Sequence, residues 1–221
     1  MRKLLIVLSV LLFPVSAAQA EVSVGIGISV PGLSIGINMP AYPRLVRVPG
    51  YPVYYDPYVD FNFFFYDGLY WVFYGDDWYV SSWYNGPWQM VARNYVPVYV
   101  LRIPVRYYRV PPPYFHGWHR DAPPRWSEHW GRDWQERRSG WDRKGNRPPP
   151  PPAPLPSYQR KYSGDRYPRQ QEQQRTIRTE RYRYTPREPV TRQHYQEQRE
   201  RGGAQDKGRG NKYDNRGQDR R

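Results

Sequence analysis

The chain has no cysteine. That excludes a disulfide framework, a thiolate metal site and a lipid anchor on cysteine. Apolar runs of membrane-spanning length are missing too. Leu4–Phe13 is about half of the roughly 20 residues a transmembrane helix requires, and no later stretch approaches it. No G-x-G-x-x-G and no P-loop occurs, so the nucleotide-binding signatures are absent. Beyond residue 147 there is neither Trp nor Phe. That last absence divides the chain into an aromatic head and a basic tail.

The N-terminus reads as a secretory signal over residues 1–20. Arg2 and Lys3 form the positive region, Leu4–Phe13 the apolar region, and Ala18-Gln19-Ala20 the small-x-small cleavage site before Glu21. An exported chain without disulfides points to a bacterial envelope rather than a eukaryotic extracellular module. The mature chain carries a formal charge of +12 once Arg2 and Lys3 are removed from the total of +14. Residues 21–115 hold six basic and six acidic side chains; residues 116–221 hold 26 basic and 14 acidic. The whole excess lies in the C-terminal half, which predicts a basic interaction arm rather than a uniformly basic domain.

Residues 21–44 form a lead-in. Val22, Val24, Ile26, Ile28 and Val30 alternate with Gly and Ser, and Leu33, Ile35 and Ile37 do so after Pro31-Gly32. Folding at Pro31-Gly32 pairs Ile28 with Ile35 and Ile26 with Ile37, with one face wholly aliphatic. Residues 45–115 form an aromatic β domain. Proline at 40, 43, 49, 52 and 57 confines residues 40–58 to connector or edge strand. Asp67-Gly68 and Asn85-Gly86 are tight-hairpin dipeptides, with Gly75-Asp76-Asp77 between them.

These turns predict four strands near 61–66, 69–74, 78–84 and 87–92. Phe65 then faces Tyr70, Phe63 faces Val72, Val72 faces Val80, Tyr74 faces Trp78, and Trp83 comes against Trp88. One face carries Phe64, Trp71, Phe73, Tyr79, Trp83 and Trp88; the other carries Phe63, Phe65, Tyr70, Tyr74, Trp78 and Val80. Both faces are aromatic, which is unusual for a sheet with one wet side. Either both faces are covered or one is a binding platform. Tyr95–Arg106, interrupted by Pro97 and Pro104, reads as an edge strand.

Residues 116–147 are a Trp-rich helical segment, with the helix itself expected over 121–140. Asp121 is the expected cap and Pro123 or Pro124 a first-turn residue, with Trp126, Trp130 and Trp134 four apart on one face. Residues 148–221, rich in Pro, then Arg and Gln, read as a disordered tail. The expected fold is thus mainly β: a small antiparallel meander, one short Trp-lined helix and a long disordered basic tail.

Candidate chemistry is sparse. His116, His119 and His129 form a possible ligand set without a specific signature, as surface or packing His also would. Asp76-Asp77 are adjacent carboxylates at a turn, where Asp is favoured by turn geometry alone. No cofactor is implied and the chain reads as non-enzymatic. The candidate binding residues are Tyr70, Trp71, Trp78, Tyr79, Trp83 and Trp88, able to stack on a glycan or a choline-like group if exposed and otherwise simply core. The tail interleaves Arg and Tyr, as in Arg181-Tyr182-Arg183-Tyr184. Export disfavours nucleic acid and leaves anionic envelope polymers or lipid headgroups as partners.

Three segments carry a resemblance: Tyr84-Asn85-Gly86-Pro87-Trp88, Tyr114-Phe115-His116-Gly117-Trp118, and Ala122–Trp126 running to His129-Trp130-Gly131-Arg132-Asp133-Trp134. Over about residues 50 to 145 the chain resembles uncharacterised small exported Tyr/Trp/Pro-rich proteins of Gram-negative bacteria. The resemblance implies a periplasmic or outer-envelope location and supplies no activity or ligand. The reading that follows is a non-enzymatic envelope protein with a structural or interaction role, its basic tail contacting anionic surfaces; the alternative is a glycan- or peptidoglycan-binding module using exposed aromatics.

Overall fold

The computed structural model describes residues 24–28, 33–37, 39–143 and 148–166, with 168, 170, 172–173, 176–177, 184–189 and 191–192. The signal region and residues 193–221 lie outside the described residues. Strands β1 (Val24–Ile28) and β2 (Leu33–Ile37) form an antiparallel pair. The main sheet is a six-stranded antiparallel meander in chain order: β3 (Val46–Arg47), β4 (Val53–Tyr55), β5 (Asn62–Tyr66), β6 (Leu69–Tyr74), β7 (Asp77–Ser81) and β8 (Gln89–Val91). Short helices follow among the described residues: α1 (Val98–Leu101), α2 (Trp126–Trp130), α3 (Arg132–Arg137) and α4 (Ser157–Tyr162). The fold is mainly β, as the turn spacing requires. Among the described residues no helix is long and apolar enough to cross a membrane.

The β5–β6 hairpin has the register its Asp67-Gly68 turn dictates, with Phe65 opposite Tyr70 and Phe63 opposite Val72. Asp67 (φ 49°) and Gly68 (φ 88°) both take the left-handed conformation of a tight two-residue turn. The next hairpin differs from expectation by one residue. Gly75 (φ 58°) and Asp76 (φ 70°) close it alone, so Tyr74 pairs with Asp77, Phe73 with Trp78 and Val72 with Tyr79. A one-residue slip exchanges faces. Trp78 and Val80 therefore join Trp71, and Tyr79 joins Tyr70. The β1–β2 pair is offset by two residues, Ile28 facing Leu33 and Ile26 facing Ile35, which leaves the faces unchanged.

Both faces of the sheet are covered. The first core joins Phe64, Trp71, Phe73, Trp78 and Val80 to side chains of residues 96–141, Trp126 among them. The second joins Phe63, Phe65, Tyr70, Val72 and Tyr79 to Ile35, Ile37 and Met39 before the sheet and to Ala153, Tyr158 and Ile177 after it. This three-layer arrangement explains why the strands read as aromatic on both sides: each face has its own lid.

The lids correct three expectations. Tyr95–Arg106 is not an edge strand but a run of helical turns around α1. Pro97 and Pro104 stand at the N-terminal boundaries of helical turns, where the missing N–H costs nothing. The helix expected over 121–140 is split into α2 and α3 at Gly131, whose φ of 85° and ψ of 179° end the first ladder. Asp121 does not cap it; its carboxylate pairs with Arg106. Finally, residues 148–166, which the composition assigns to the tail, include a segment packed on the head. Tyr158 and Gln159 are buried, the Gln159 amide donates to Pro43 O, and the Tyr70 hydroxyl donates to Gln159 Oε1 at 3.1 Å and shares a 2.9 Å contact with Tyr158 OH. Composition suggested disorder, but one amphipathic turn supplies the aromatic ring and amide that close the second core.

Candidate functional site

Of the six aromatics expected to offer a binding surface, Tyr70, Trp71, Trp78, Tyr79 and Trp88 are buried and Trp83 is half-buried. They do not share a face. Trp71 and Trp78 belong to the first core; Tyr70, Tyr79 and Trp88 belong to the second, with Trp83 packed on it. Rings among them contact other sheet residues and the lids, such as Phe73 on Trp78 at 5.0 Å and Trp83 on Tyr158 at 4.8 Å. A stacking platform requires ring faces open to solvent, and five of these six lie under other side chains.

Two polar constellations replace them, each on a hairpin turn. At the β6–β7 turn, Asp76 Oδ1 accepts from Tyr114 OH at 2.7 Å and from Trp130 Nε1 at 3.3 Å, and lies 2.8 Å from His129 Nε2. Its Oδ2 accepts from Arg93 Nη2 at 2.6 Å. The Tyr114 and His129 rings stack at 3.6 Å, and the Arg93 guanidinium sits 5.2 Å from the Trp130 ring centre. Burial, and then the bond to Asp76, push the Tyr114 phenol well above its ordinary value. Both carboxylate oxygens are taken by donors. Asp76 therefore clasps the first lid to the sheet. Beside it lies an apolar cavity of about 390 Å³ between Phe61, Phe73, Tyr74 and Val110–Tyr114. Asn62 holds its rim, exchanging bonds of 2.7 and 3.0 Å with the Val110 backbone.

At the β5–β6 turn, Asp67 is only 4% exposed, and residues 184–191 satisfy it. It accepts from Tyr184 OH at 2.7 Å, from the Arg187 N–H at 2.9 and 3.0 Å, from the Glu188 N–H at 3.0 Å, and from the Thr191 hydroxyl. Tyr66 OH donates to Glu188, and the Arg187 guanidinium donates to Pro151 O at 2.8 Å. No sequence signal marks this contact, because its partners lie 117 to 124 residues apart.

Burial pushes the Glu188 carboxyl above its ordinary 4.5. The Asp67 charge adds to that rise, while the Tyr66 hydrogen bond and the Arg138 charge oppose it. A carboxyl raised by folding favours the docked state when protonated, so its contribution is full below pH 4.5 and is lost as pH rises through the folded value. Glu188→Gln keeps an acceptor for Tyr66 and removes the charge. Amide exchange of Arg187 and Glu188 should then become less pH-dependent above pH 4.5 than in the parent. An identical pH profile in the two proteins contradicts this assignment.

Among the described residues the histidines do not assemble. His129 joins Asp76, His119 Nδ1 accepts from the Asp121 N–H at 3.2 Å, and His194 lies outside the described residues. Among the described residues no three His, Cys, Asp or Glu side chains gather as a metal site. Gly32-Leu33-Ser34-Ile35-Gly36 spells G-x-S-x-G, but Ser34 stands mid-strand opposite Gly27, not on the strand-to-helix turn that exposes a nucleophile. Comparison of the chain with protein-family models, with curated proteins and with solved structures returns no match.

Proposed function

We propose that this is a non-enzymatic exported envelope protein whose head is a scaffold and whose C-terminal half contacts anionic surfaces. The observation that carries the reading is the charge division: residues 21–115 are balanced, and residues 116–221 hold 26 basic against 14 acidic side chains. The burial of the sheet aromatics supports a structural head, since their area is spent on cohesion. Much of the excess charge precedes residue 193, and among the described residues Arg160, Arg166, Arg187 and Arg192 are exposed on segments that touch the head. The basic surface is thus partly presented on a rigid body. The anionic partner is a polymer or lipid headgroup, held by charge rather than by a shaped pocket. Against the glycan-binding alternative, five of the six aromatics it relies on are buried and Trp83 is half-buried.

A chain ending at Arg192 tests the division of labour. It keeps every described residue and should fold with an unchanged melting temperature. Its binding to anionic vesicles should be weakened but not abolished, because residues 193–221 contribute eight basic and five acidic side chains. Loss of all binding in the folded truncation contradicts a distributed surface. For export, the mature protein isolated from cells should begin at Glu21 by mass spectrometry, since Ala18-Gln19-Ala20 is the cleavage site. A mature species that retains Met1–Ala20 contradicts it.

A further inference from the structure

We propose that the arginine-lined cleft between the lead-in and the segment around α4 binds a phosphomonoester group carried on a lipid headgroup. The proposal rests on the anionic-surface reading above and names the anion that this part of the surface prefers. The cleft has a volume of about 640 Å³. Arg44 and Val46 reach it from the start of the sheet, Tyr58 from the β4–β5 loop, and Leu155, Arg160 and Arg166 from the segment around α4.

The fold gathers these arginines from distant parts of the chain. A parallel bridge joins Tyr42 to Ser163, Gly164 N donates to Tyr42 O at 3.0 Å, and the buried Gln159 amide donates to Pro43 O. Arg44 and Arg166 thus follow residues that are bonded to each other. The Arg44 guanidinium sits 5.2 Å from the Tyr58 ring centre. Gly164 makes room for it: a Cβ there would lie 2.9 Å from Arg44 Cζ and 3.0 Å from its Nη2. Arg166 Nη2 donates to Ser163 Oγ at 3.0 Å, one bond from a side chain that carries five donors. Residues 157–166 hold Arg160, Lys161 and Arg166 against Asp165 alone. The buried Asp56 carboxylate beside Arg44 is engaged by backbone, accepting from the Arg44 and Tyr58 N–H groups, each at 2.8 Å.

Arginines arriving from separate segments match an anion with acceptors on several sides. A phosphomonoester carries about −1.5 to −2 charge and three strong acceptor oxygens. A carboxylate has only two, in one plane, and a phosphodiester has a single charge. Guanidinium groups pair their N–H donors with phosphate oxygens. Val46 and Tyr58 are 47% and 69% exposed, so apolar surface lies beside the cations. That suits a phosphate attached to an apolar body, which favours a lipid headgroup over a soluble ester. Distributed charge still supplies most of the affinity; the cleft adds a preference between headgroups at equal surface potential.

The test compares the full mature chain with Arg160→Gln/Arg166→Gln and with Arg132→Gln/Arg137→Gln, which removes the same charge from α3. All four side chains are exposed and lie outside the two cores. Phosphatidylcholine vesicles carry either phosphatidic acid, a phosphomonoester, or phosphatidylglycerol, a phosphodiester, matched in surface potential. The parent should bind the phosphatidic acid vesicles about tenfold more tightly, the gain from a further charge-assisted hydrogen bond. Arg160→Gln/Arg166→Gln should bind the two kinds equally. Arg132→Gln/Arg137→Gln should bind both more weakly and keep the preference. Glycerol 3-phosphate should displace the parent only in large excess over lipid phosphate. Displacement at equal concentration overturns the lipid as the ligand. Equal binding by the parent, or a preference that survives Arg160→Gln/Arg166→Gln, overturns the cleft and leaves the diffuse-surface reading standing. A parent that binds neither anionic vesicle overturns both.

Discussion

Trp126→Ala is expected to destabilise the head by about 3–5 kcal/mol, the range for emptying a buried Trp site. Trp126 is fully buried and sits where the first lid meets the sheet. Its ring contacts Phe73 at 5.3 Å and Phe115 at 5.6 Å edge-on, and stacks on Trp130 at 4.3 Å with 13° between planes. Its Nε1 donates to Leu101 O at 2.8 Å, so truncation also leaves a buried carbonyl unpaired. At about 3 °C per kcal/mol for a domain of this size, the melting temperature should fall by about 10 °C or more. Trp126→Phe keeps much of the ring but not the donor and should lie between the two. A Trp126→Ala protein that melts with the parent would show that α2 and α3 are not part of the cooperative core.

The second large effect is expected at Gly86, whose φ is +83°. A Cβ placed there meets Trp88 Cδ1 at 2.8 Å and the Trp88 backbone N at 3.2 Å. Trp88 is buried against Phe63, so its ring cannot swing into solvent without opening the second core. The left-handed conformation adds about 1–2 kcal/mol for any residue with a Cβ, and a β-branched one resists it most. Gly86→Val should therefore cost about 2 kcal/mol or more, read by chemical or thermal unfolding. Gly75→Ala is the internal control: it shares a positive φ of 58° but a Cβ there meets nothing within 4 Å, so only the conformational cost remains. Equal losses in the two variants would show that the Trp88 contact contributes nothing.

The comparison between sequence and structure turns on turns. Asp67-Gly68 is a dipeptide with one dominant geometry, and the β5–β6 register followed from it directly. Gly75-Asp76-Asp77 offers turns of two or three residues, and the shorter one moved Trp78 and Val80 to the opposite face. Asn85-Gly86 looked like a second tight hairpin, yet Val80 pairs with Gln89, so the residues between form a wide loop. Gly86 N donates to Trp83 O at 3.1 Å inside it, and the Asn85 side chain accepts from the Met39 N–H at 3.0 Å. The Asn is there to tie the lead-in to the loop. Tyr95–Arg106 alternates valine with polar and aromatic residues as a strand would, but its prolines start helical turns instead. The two polar constellations were illegible because their members come from separate regions: Asp76 gathers Arg93, Tyr114, His129 and Trp130, and Asp67 gathers Tyr184, Arg187, Glu188 and Thr191. Local pattern reports which face a residue takes; it carries no information about which distant segment arrives to meet it.

A scaffold head with distributed charge in residues 116–221 makes surface binding a function of salt and of lipid charge. The most direct test is equilibrium binding of the full mature chain to vesicles containing anionic lipid, and to zwitterionic vesicles, across a salt series. Exposed charges are screened beyond about 10 Å near 0.1 M salt and beyond about 3 Å at 1 M. The account predicts strong binding to anionic vesicles at low salt, a steep continuous loss as salt rises, and no binding to zwitterionic ones. Scrambling residues 193–221 at constant composition should leave the curve in place. Binding that persists unchanged at 1 M salt, or that vanishes on scrambling, would contradict it and point to a shaped site instead.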